Sequence, residues 1–260
     1  MIGLRIAVQT RCFAQPIKKA LHTAARVGCE GVQIDARLEL RPTELSETGL
    51  RQLRKMLDDL NLRVGSVAFP TRRGYGNPQD LERRLEATRA AMQMASRLDA
   101  RILICNLGGL PDVEDEAGRS TLTEALTSLA THGNRLGVRL VAQAASTSAE
   151  DLVSFIETLP EGTLHVDLHP GQLIAQGESP IDYLEKVGSH IAHVHAVDSV
   201  RDLAGGKGVE VELGRGSVDF PQILGMLEEF EYRDWITLER LNSRQTVFDI
   251  ENSVKYLRSL

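Results

Sequence analysis

Short apolar runs rich in β-branched residues alternate along the chain with longer segments in which apolar residues recur at the helical period. The short runs predict strands and the longer segments predict amphipathic helices. Eight strands are predicted, over Leu4–Gln9, Val32–Asp35, Arg63–Phe69, Arg101–Leu107, Val138–Gln143, Leu164–His169, Ile191–Val197 and Trp235–Glu239. Three of the helical stripes are Leu50, Leu53, Leu57 and Leu60, then Leu81, Leu85, Thr88, Met92 and Ala95, and finally Val247, Ile250, Val254 and Leu257.

Eight strand–helix cycles in 260 residues predict an α/β protein folded as a (β/α)8 TIM barrel. No linker rich in Pro, Gly or Ser divides the chain, so residues 1–260 are expected to form one domain. The main rival is an open doubly wound sheet. That fold favours a Gly-rich phosphate turn after its first strand, and the sequence QTRCF at residues 9–13 is not such a turn.

Composition and charge favour a globular protein over a membrane protein or one that binds nucleic acid through its overall charge. The hydrophobic share of 42% and the charged share of 25% are typical of a globular chain, and no apolar run reaches the length of about 20 residues that spans a membrane. The net charge of −6 gives no overall attraction to nucleic acid. The N-terminus lacks the pattern of a secretory signal, so we expect a cytoplasmic protein.

Polar residues occupy one face of the predicted strands and gather near their carboxyl ends. The set comprises Gln9, Gln33, Asp35, Ser66, Asn106, Gln143, Asp167, His169, His193, His195, Thr237 and Glu239. Barrel enzymes place their active sites at this end. Any one of these residues alone could be a hydrogen-bonded structural residue. Burying the whole set is costly unless its members serve one another, water, a metal or a ligand, so the set predicts a functional site.

Five motifs in the second half give the chain a resemblance to a known family. They are VRLVAQ at residues 138–143, VDLHPGQ at 166–172, HVHAVD at 193–198, LGRGSVDF at 213–220 and TLER at 237–240. In order and spacing, residues 80–257 resemble the xylose isomerase-like TIM barrels, which are sugar isomerases and epimerases with apurinic endonucleases as relatives.

The resemblance implies one divalent metal at the barrel mouth, held by Glu, Asp, His and Glu. Carried over by position, the ligands are Gln143, His169, His195 and Glu239, with Asp167 as the alternative to His169 in a shifted register. Two imidazoles and one carboxylate favour zinc or another late transition ion over magnesium, with manganese left open. The alternative is that metal binding is lost and these residues form a neutral hydrogen-bond network.

The same substitutions bear on the reaction. In the family's epimerases two glutamates act as acid and base next to a sugar carbonyl, while the metal stabilises the enediolate. Gln143 cannot carry a proton, which leaves Glu239 as the expected base and Asp167, His193 or Asp35 as substitutes. Isomerisation by a single base or a lyase-type elimination remains open, and epimerisation at both faces needs a second base. The alternative is a non-catalytic or metal-free sugar-binding barrel, or a subunit of a complex.

The expected substrate is a small sugar or sugar phosphate. The candidate contact residues are Asp35, Asn106, Gln172, Lys207 and Arg215. Further cations follow the first three strands, at Arg11, Arg37, Arg72 and Arg73, and either hold a phosphate or carboxylate or lie solvated at the surface. The glycine-rich segment Ser199–Arg215 is predicted to be a mobile lid. The sequence leaves the oligomeric state open, a homo-oligomer included.

Overall fold

Eight parallel strands close into a barrel. The structure, a computed structural model, describes residues 3–144, 146–201 and 208–260. The barrel strands are β1 (Arg5–Gln9), β2 (Gly31–Asp35), β3 (Arg63–Phe69), β4 (Ile102–Asn106), β5 (Arg139–Gln143), β6 (His165–Leu168), β7 (Ile191–Ala196) and, after a hairpin of β8 (Asp198–Arg201) and β9 (Gly208–Val211), β10 (Trp235–Leu238). Since β1 pairs with both β2 and β10, the ring is closed and the predicted fold is confirmed.

Nine α-helices are found in the described part of the chain. They are α1 (Ile17–Arg26), α2 (Glu47–Asp59), α3 (Leu81–Arg97), α4 (Glu116–Leu136), α5 (Ala149–Glu157), α6 (Pro170–Gln176), α7 (Pro180–Val187), α8 (Phe220–Glu229) and α9 (Thr246–Ser259). The three predicted stripes fall on α2, α3 and α9 and pack largely against the barrel. Side chains cap several helices, as when Ser148 accepts a hydrogen bond from the N–H of Asp151. Within the described ranges, no helix combines the length and apolar character needed to cross a bilayer.

The amino-terminal end of the barrel is closed by Trp235. Its indole is 6% exposed, and the guanidinium of Arg5 lies 4.1 Å from the ring centroid. A Cβ atom at Gly31 or Gly65 would lie 2.5 or 2.7 Å from ring atoms. Both positions therefore require glycine, and Trp235 packs at the end opposite the predicted site.

Two register shifts aim polar side chains at the barrel interior. Along β2 and β3 the partner of Val32 is Val64 and that of Gln33 is Ser66. Along β6 and β7 the partner of Val166 is Ile191 and that of Asp167 is His193. Each shift skips one residue, as a β-bulge does. The shifts bring Gln33 opposite Ser66 and Asp167 opposite His193, and both pairs are hydrogen bonded.

The segment predicted as a lid is partly regular structure. Strands β8 and β9 form an antiparallel hairpin within the segment that is predicted to be a mobile lid. The carboxylate of Asp198 accepts hydrogen bonds from the N–H groups of Ser199, Gly214, Gly216 and Val218. It therefore anchors the return of the hairpin. Lys207 lies outside the described residues.

Candidate functional site

A pocket of about 260 Å³ opens at the carboxyl end of the barrel strands; we call it the mouth pocket. Its lining residues are Gln9, Arg11, Gln33, Asp35, Ala68, Pro70, Ile104, Cys105, Gln143, His169, Gln172, His195, Glu239 and Leu241. All four residues expected as metal ligands are among them. His169 Nε2 lies 3.8 Å from Glu239 Oε1, and the ring centroids of His169 and His195 are 5.5 Å apart.

Glu239 and Asp35 are the two carboxylates of the mouth pocket, and among the residues that the structure describes only Asp35 is paired with an arginine, Arg11. Glu239 follows β10 directly, and its Oε2 accepts a hydrogen bond of 2.9 Å from Gln9 Nε2. Burial alone would raise its pKa, but the neighbouring imidazoles of His169 and His195 outweigh burial and lower it. Glu239 is therefore ionised at neutral pH and can accept a proton or bind a cation.

Asp167 lies behind the mouth pocket and holds two imidazoles. Its Oδ1 is 2.7 Å from His193 Nδ1 and its Oδ2 is 2.7 Å from His195 Nδ1. Burial opposes ionisation of this carboxyl, but the charges of the two histidines and their hydrogen bonds hold its pKa well below the usual range. Burial lowers the pKa of His193. For His195 the burial effect is exceeded by the attraction of Asp167 and Glu239, so its pKa is raised.

A chain of amides connects His195 to Glu239. With His195 donating its Nδ1–H to Asp167, its Nε2 accepts from Gln33 Nε2 at 3.0 Å. Gln33 Oε1 accepts from Gln9 Nε2 at 2.9 Å, and Gln9 also donates to Glu239. The Asp167 carboxylate sets the tautomer of neutral His195 that keeps a lone pair on Nε2, which also lies 3.1 Å from Gln33 Oε1. His195 lines the mouth pocket, and a metal ligand there needs a free lone pair such as the one on its Nε2.

Two groups of side chains have the donor chemistry for a metal ion. The first is the buried group of Asp167, His193 and His195, whose ligand atoms lie within 4.8 Å of one another. The second is the set expected from the resemblance, which lines the mouth pocket. In the first group both carboxylate oxygens already accept short hydrogen bonds from imidazole nitrogens. A metal there would have to replace these bonds.

The structure brings some expected contact residues together and separates others. Asp35 and Gln172 line the mouth pocket. The carboxylate of Asp35 is already engaged, because it accepts hydrogen bonds from the N–H groups of Arg37 and Leu38 and from the guanidinium of Arg11. Asn106 is not a lining residue, and its Oδ1 accepts a hydrogen bond from the N–H of Gly108. Arg215 is exposed after β9 and does not line the pocket either.

The candidates for substitute base include two residues that do not reach the pocket. Asp167 and His193 are fully buried and are absent from its lining. His193 Nε2 lies 2.8 Å from Thr237 Oγ1 and 3.3 Å from Ser66 Oγ, so its second nitrogen is also engaged by the barrel. Both instead adjoin His195: Asp167 Oδ2 is 2.7 Å from its Nδ1, and the ring centroids of His193 and His195 are 4.6 Å apart.

One interaction at the site has no signal in the strand pattern. Arg240, the residue after Glu239, donates hydrogen bonds to Glu210 on β9 and to Asp249 on α9. All three side chains are mostly buried. This contact ties the hairpin to the end of β10. The TLER motif contains Arg240, but its partners lie 30 and 9 residues away, so the sequence does not identify them.

Comparison with known proteins agrees with this geometry. The model of the family described as "Xylose isomerase-like TIM barrel" matches residues 21–260. The chain belongs to this family. Solved structures with the same fold include a xylose isomerase domain protein from Planctomyces limnophilus, with a TM-score of 0.86, 21% identity and coverage of 98% of this chain and 96% of that one. A second, from Mycobacterium smegmatis in complex with magnesium, has a TM-score of 0.80 and 19% identity over 98% of this chain and 96% of that one.

The curated relatives are 22–25% identical to this chain. Fructoselysine 3-epimerase of Escherichia coli O157:H7 is 22% identical over 86% of this chain and 85% of its own length. Inosose dehydratase of Clostridium botulinum is 25% identical over 42% of this chain and 41% of its own length. An uncharacterized protein of Methanocaldococcus jannaschii, MJ1311, is 24% identical over 70% of this chain and 66% of its own length. The chain is thus related to a fructoselysine 3-epimerase and to an inosose dehydratase, and it spans about 41% of the length of the latter.

Proposed function

We propose that this protein is a metal-dependent carbohydrate enzyme in which Glu239 removes a proton from the carbon next to a sugar carbonyl. The observation that carries the proposal is the asymmetry of the mouth pocket. Glu239 is a carboxylate whose lowered pKa keeps it ionised, whereas Gln143 lines the same pocket with a side chain that cannot titrate. A reaction that needs one base is therefore favoured over one that needs a base on each face of the substrate.

The residues that would hold the metal are His169, His195 and Glu239, with the amide oxygen of Gln143 as a fourth donor. Two imidazoles and a carboxylate suit zinc or another late transition ion better than magnesium. Bound there, the ion would supply a positive charge that polarises the substrate carbonyl. Asp167 and the amide of Gln33 hold the imidazole of His195 in the orientation that this role needs.

The protein's own residues account for the remaining steps. Glu239 has two carboxylate oxygens, and the hydrogen bond from Gln9 orients them toward the pocket interior. Isomerisation follows if the proton returns to the neighbouring carbon, and elimination follows if a hydroxyl group leaves instead. The relatives named fructoselysine 3-epimerase and inosose dehydratase support a reaction of this class on a small carbohydrate. The pocket volume of about 260 Å³ lies near the lower end for ligand pockets and suits a monosaccharide.

Deuterium exchange tests the proposal. Protein loaded with zinc or manganese is incubated in D2O with a panel of ketoses and 3-keto sugars, and NMR follows deuterium at the carbon next to the carbonyl. We expect exchange with the unaltered protein and at least about a 100-fold slower rate with Glu239→Gln. The control is Glu157→Gln at the exposed end of α5, which should exchange at the normal rate. Absence of exchange with every sugar and metal, or an undiminished rate in Glu239→Gln, overturns the proposal.

A further inference from the structure

A second pocket lies beside the mouth pocket and is strongly cationic. Its volume is about 450 Å³, and we call it the arginine pocket. It is lined by Arg37, Phe69, Thr71, Arg72, Arg73, Asp80, Arg83, Arg84 and Ala87. Ala68 and Pro70 line the mouth pocket while their neighbours Phe69 and Thr71 line this one, so the end of β3 separates the two. Five guanidinium groups face one carboxylate in a chain whose net charge is −6.

The charge of the arginine pocket is not neutralised within the described part of the chain. None of its five arginines forms an ion pair with a carboxylate of residues 3–144, 146–201 or 208–260. Arginines elsewhere commonly do, as Arg11, Arg41, Arg63, Arg89, Arg97, Arg139, Arg240 and Arg258 show. Arg37 donates to the carbonyl of Pro70, and Arg84 donates to the carbonyls of Gly74, Asn77 and Gln79. These two shape the walls, and Arg72, Arg73 and Arg83 remain available for a ligand.

The loop that carries Arg72 and Arg73 is held in place at both ends. Thr71 Oγ1 donates a hydrogen bond of 3.1 Å to the carbonyl of Asn106 at the end of β4. Gly74 has a φ of +61°, and a Cβ atom there would lie 2.2 Å from the carbonyl oxygen of Leu107. The loop is therefore packed against the neighbouring strand end in a conformation that requires glycine. Fixing the backbone that carries Arg72 and Arg73 reduces the entropy lost when the loop binds an anion.

We propose that the arginine pocket binds the phosphoryl group of a phosphorylated sugar whose reacting carbons lie in the mouth pocket. This inference rests on the proposed function for the identity of the substrate, but not for the binding of the anion. Guanidinium groups pair with phosphate oxygens through charge-assisted, often bidentate hydrogen bonds. A phosphate monoester offers three oxygen atoms and close to two negative charges. It therefore matches three available guanidinium groups better than a carboxylate, with two oxygens and one charge, would. Arg37 lines the arginine pocket next to the mouth pocket, because its backbone N–H donates a hydrogen bond to the carboxylate of Asp35, which lines the mouth pocket.

The test compares two double variants with the same change in net charge. Arg72→Gln/Arg83→Gln removes one available cation from the loop and one from α3. Arg54→Gln/Arg101→Gln is the control, since both arginines line a pocket at the amino-terminal end of the barrel. Calorimetry on the metal-free protein measures binding of inorganic phosphate, of ketose phosphates such as D-fructose 6-phosphate, and of the same ketoses without phosphate.

We expect the ketose phosphates to bind at least about tenfold more tightly than the unphosphorylated ketoses, with inorganic phosphate competing. The first double variant should lose this advantage, and the control should keep it. Equal affinity for phosphorylated and unphosphorylated ketoses, or an equal loss in the control, overturns the proposal. Tighter binding of a DNA duplex than of any ketose phosphate through the same arginines overturns it too. Glu239→Gln should bind phosphate like the unaltered protein, so failure of the catalytic proposal is recognised separately.

Discussion

Replacing Asp167 by Asn tests how the barrel positions His195. The substitution keeps the size of the side chain and removes its charge. The carboxylate now accepts an Nδ1–H from each of two imidazoles at 2.7 Å, whereas the amide has one acceptor oxygen and one donor NH2 group. One imidazole must therefore turn its Nδ1–H toward another acceptor or change its tautomer. His193 can change tautomer more easily, because the hydroxyls of Thr237 and Ser66 beside its Nε2 can also accept.

The loss of folding free energy in Asp167→Asn follows from the two hydrogen bonds that the substitution changes. One buried donor without an acceptor costs about 1–3 kcal/mol. The other hydrogen bond changes from charge-assisted to neutral, which costs about 1 kcal/mol more. We expect Asp167→Asn to lower the free energy of unfolding by about 2–4 kcal/mol and to weaken metal binding by about 10–100-fold, the usual effect of removing a residue that orients a ligand.

The loss of stability caused by Asp167→Asn should also depend on pH. The pKa of Asp167 is lowered by folding, so its contribution is present above its unfolded value of about 3.9 and is lost as pH falls toward the folded pKa. The pKa of His195 is raised, so its contribution is full below about 6.5 and is lost as pH rises through the folded pKa. The stability difference between the two proteins should therefore be largest between about pH 4 and 6.

Urea unfolding across this pH range measures the difference, and competition with a chelating dye measures metal affinity. Asp219→Asn is the matched control, because Asp219 caps α8 at an exposed position and Asn caps a helix almost as well. The reasoning is refuted if Asp167→Asn unfolds within about 0.5 kcal/mol of the unaltered protein at every pH, or if the control loses as much.

Three further predictions concern the barrel and its mouth. Gly65→Ala should destabilise the fold by about 1–3 kcal/mol, because its Cβ would meet the rigid indole of Trp235. Gly225→Ala in α8, which has open space around it, should stabilise the fold by about 0.5–1 kcal/mol. Thermal unfolding of the two variants compares these effects. His195→Ala should abolish retention of zinc, as measured by elemental analysis, and unchanged stoichiometric zinc would place the metal elsewhere. Gln143→Glu should raise affinity for manganese and magnesium and slow native turnover, and lower affinity for both ions would contradict this.

Much of the fold could be predicted because each element carries its own local signal. The eight barrel strands lie within two residues of the predicted ends, and the apolar stripes of α2, α3 and α9 follow the helical period. The hairpin of β8 and β9 was missed, because its glycines and charges have the composition of a loop. The shifts at Gln33 and Asp167 were also unpredictable from one sequence, since skipping a residue on the neighbouring strand leaves no local pattern.

The sequence could predict which residues gather at the site, but not how far each side chain lies from the mouth pocket. Motif positions placed His169, His195 and Glu239 at the mouth, and the structure brings them to one pocket. Alternation along the strands identifies an inward face, but it does not say whether a side chain ends in the pocket or behind it. Asp167 and His193 share that face, and they lie behind because short hydrogen bonds tie them to each other and to the barrel.

The central claim is that one metal ion binds in the mouth pocket beside the base Glu239. Anomalous diffraction at the zinc edge, from crystals of zinc-loaded protein, locates the ion directly. The account predicts a single peak about 2.0–2.2 Å from a ring nitrogen of His169, His195 Nε2 and a carboxylate oxygen of Glu239. A peak among Asp167, His193 and the Nδ1 of His195, or no peak inside the barrel, would contradict it.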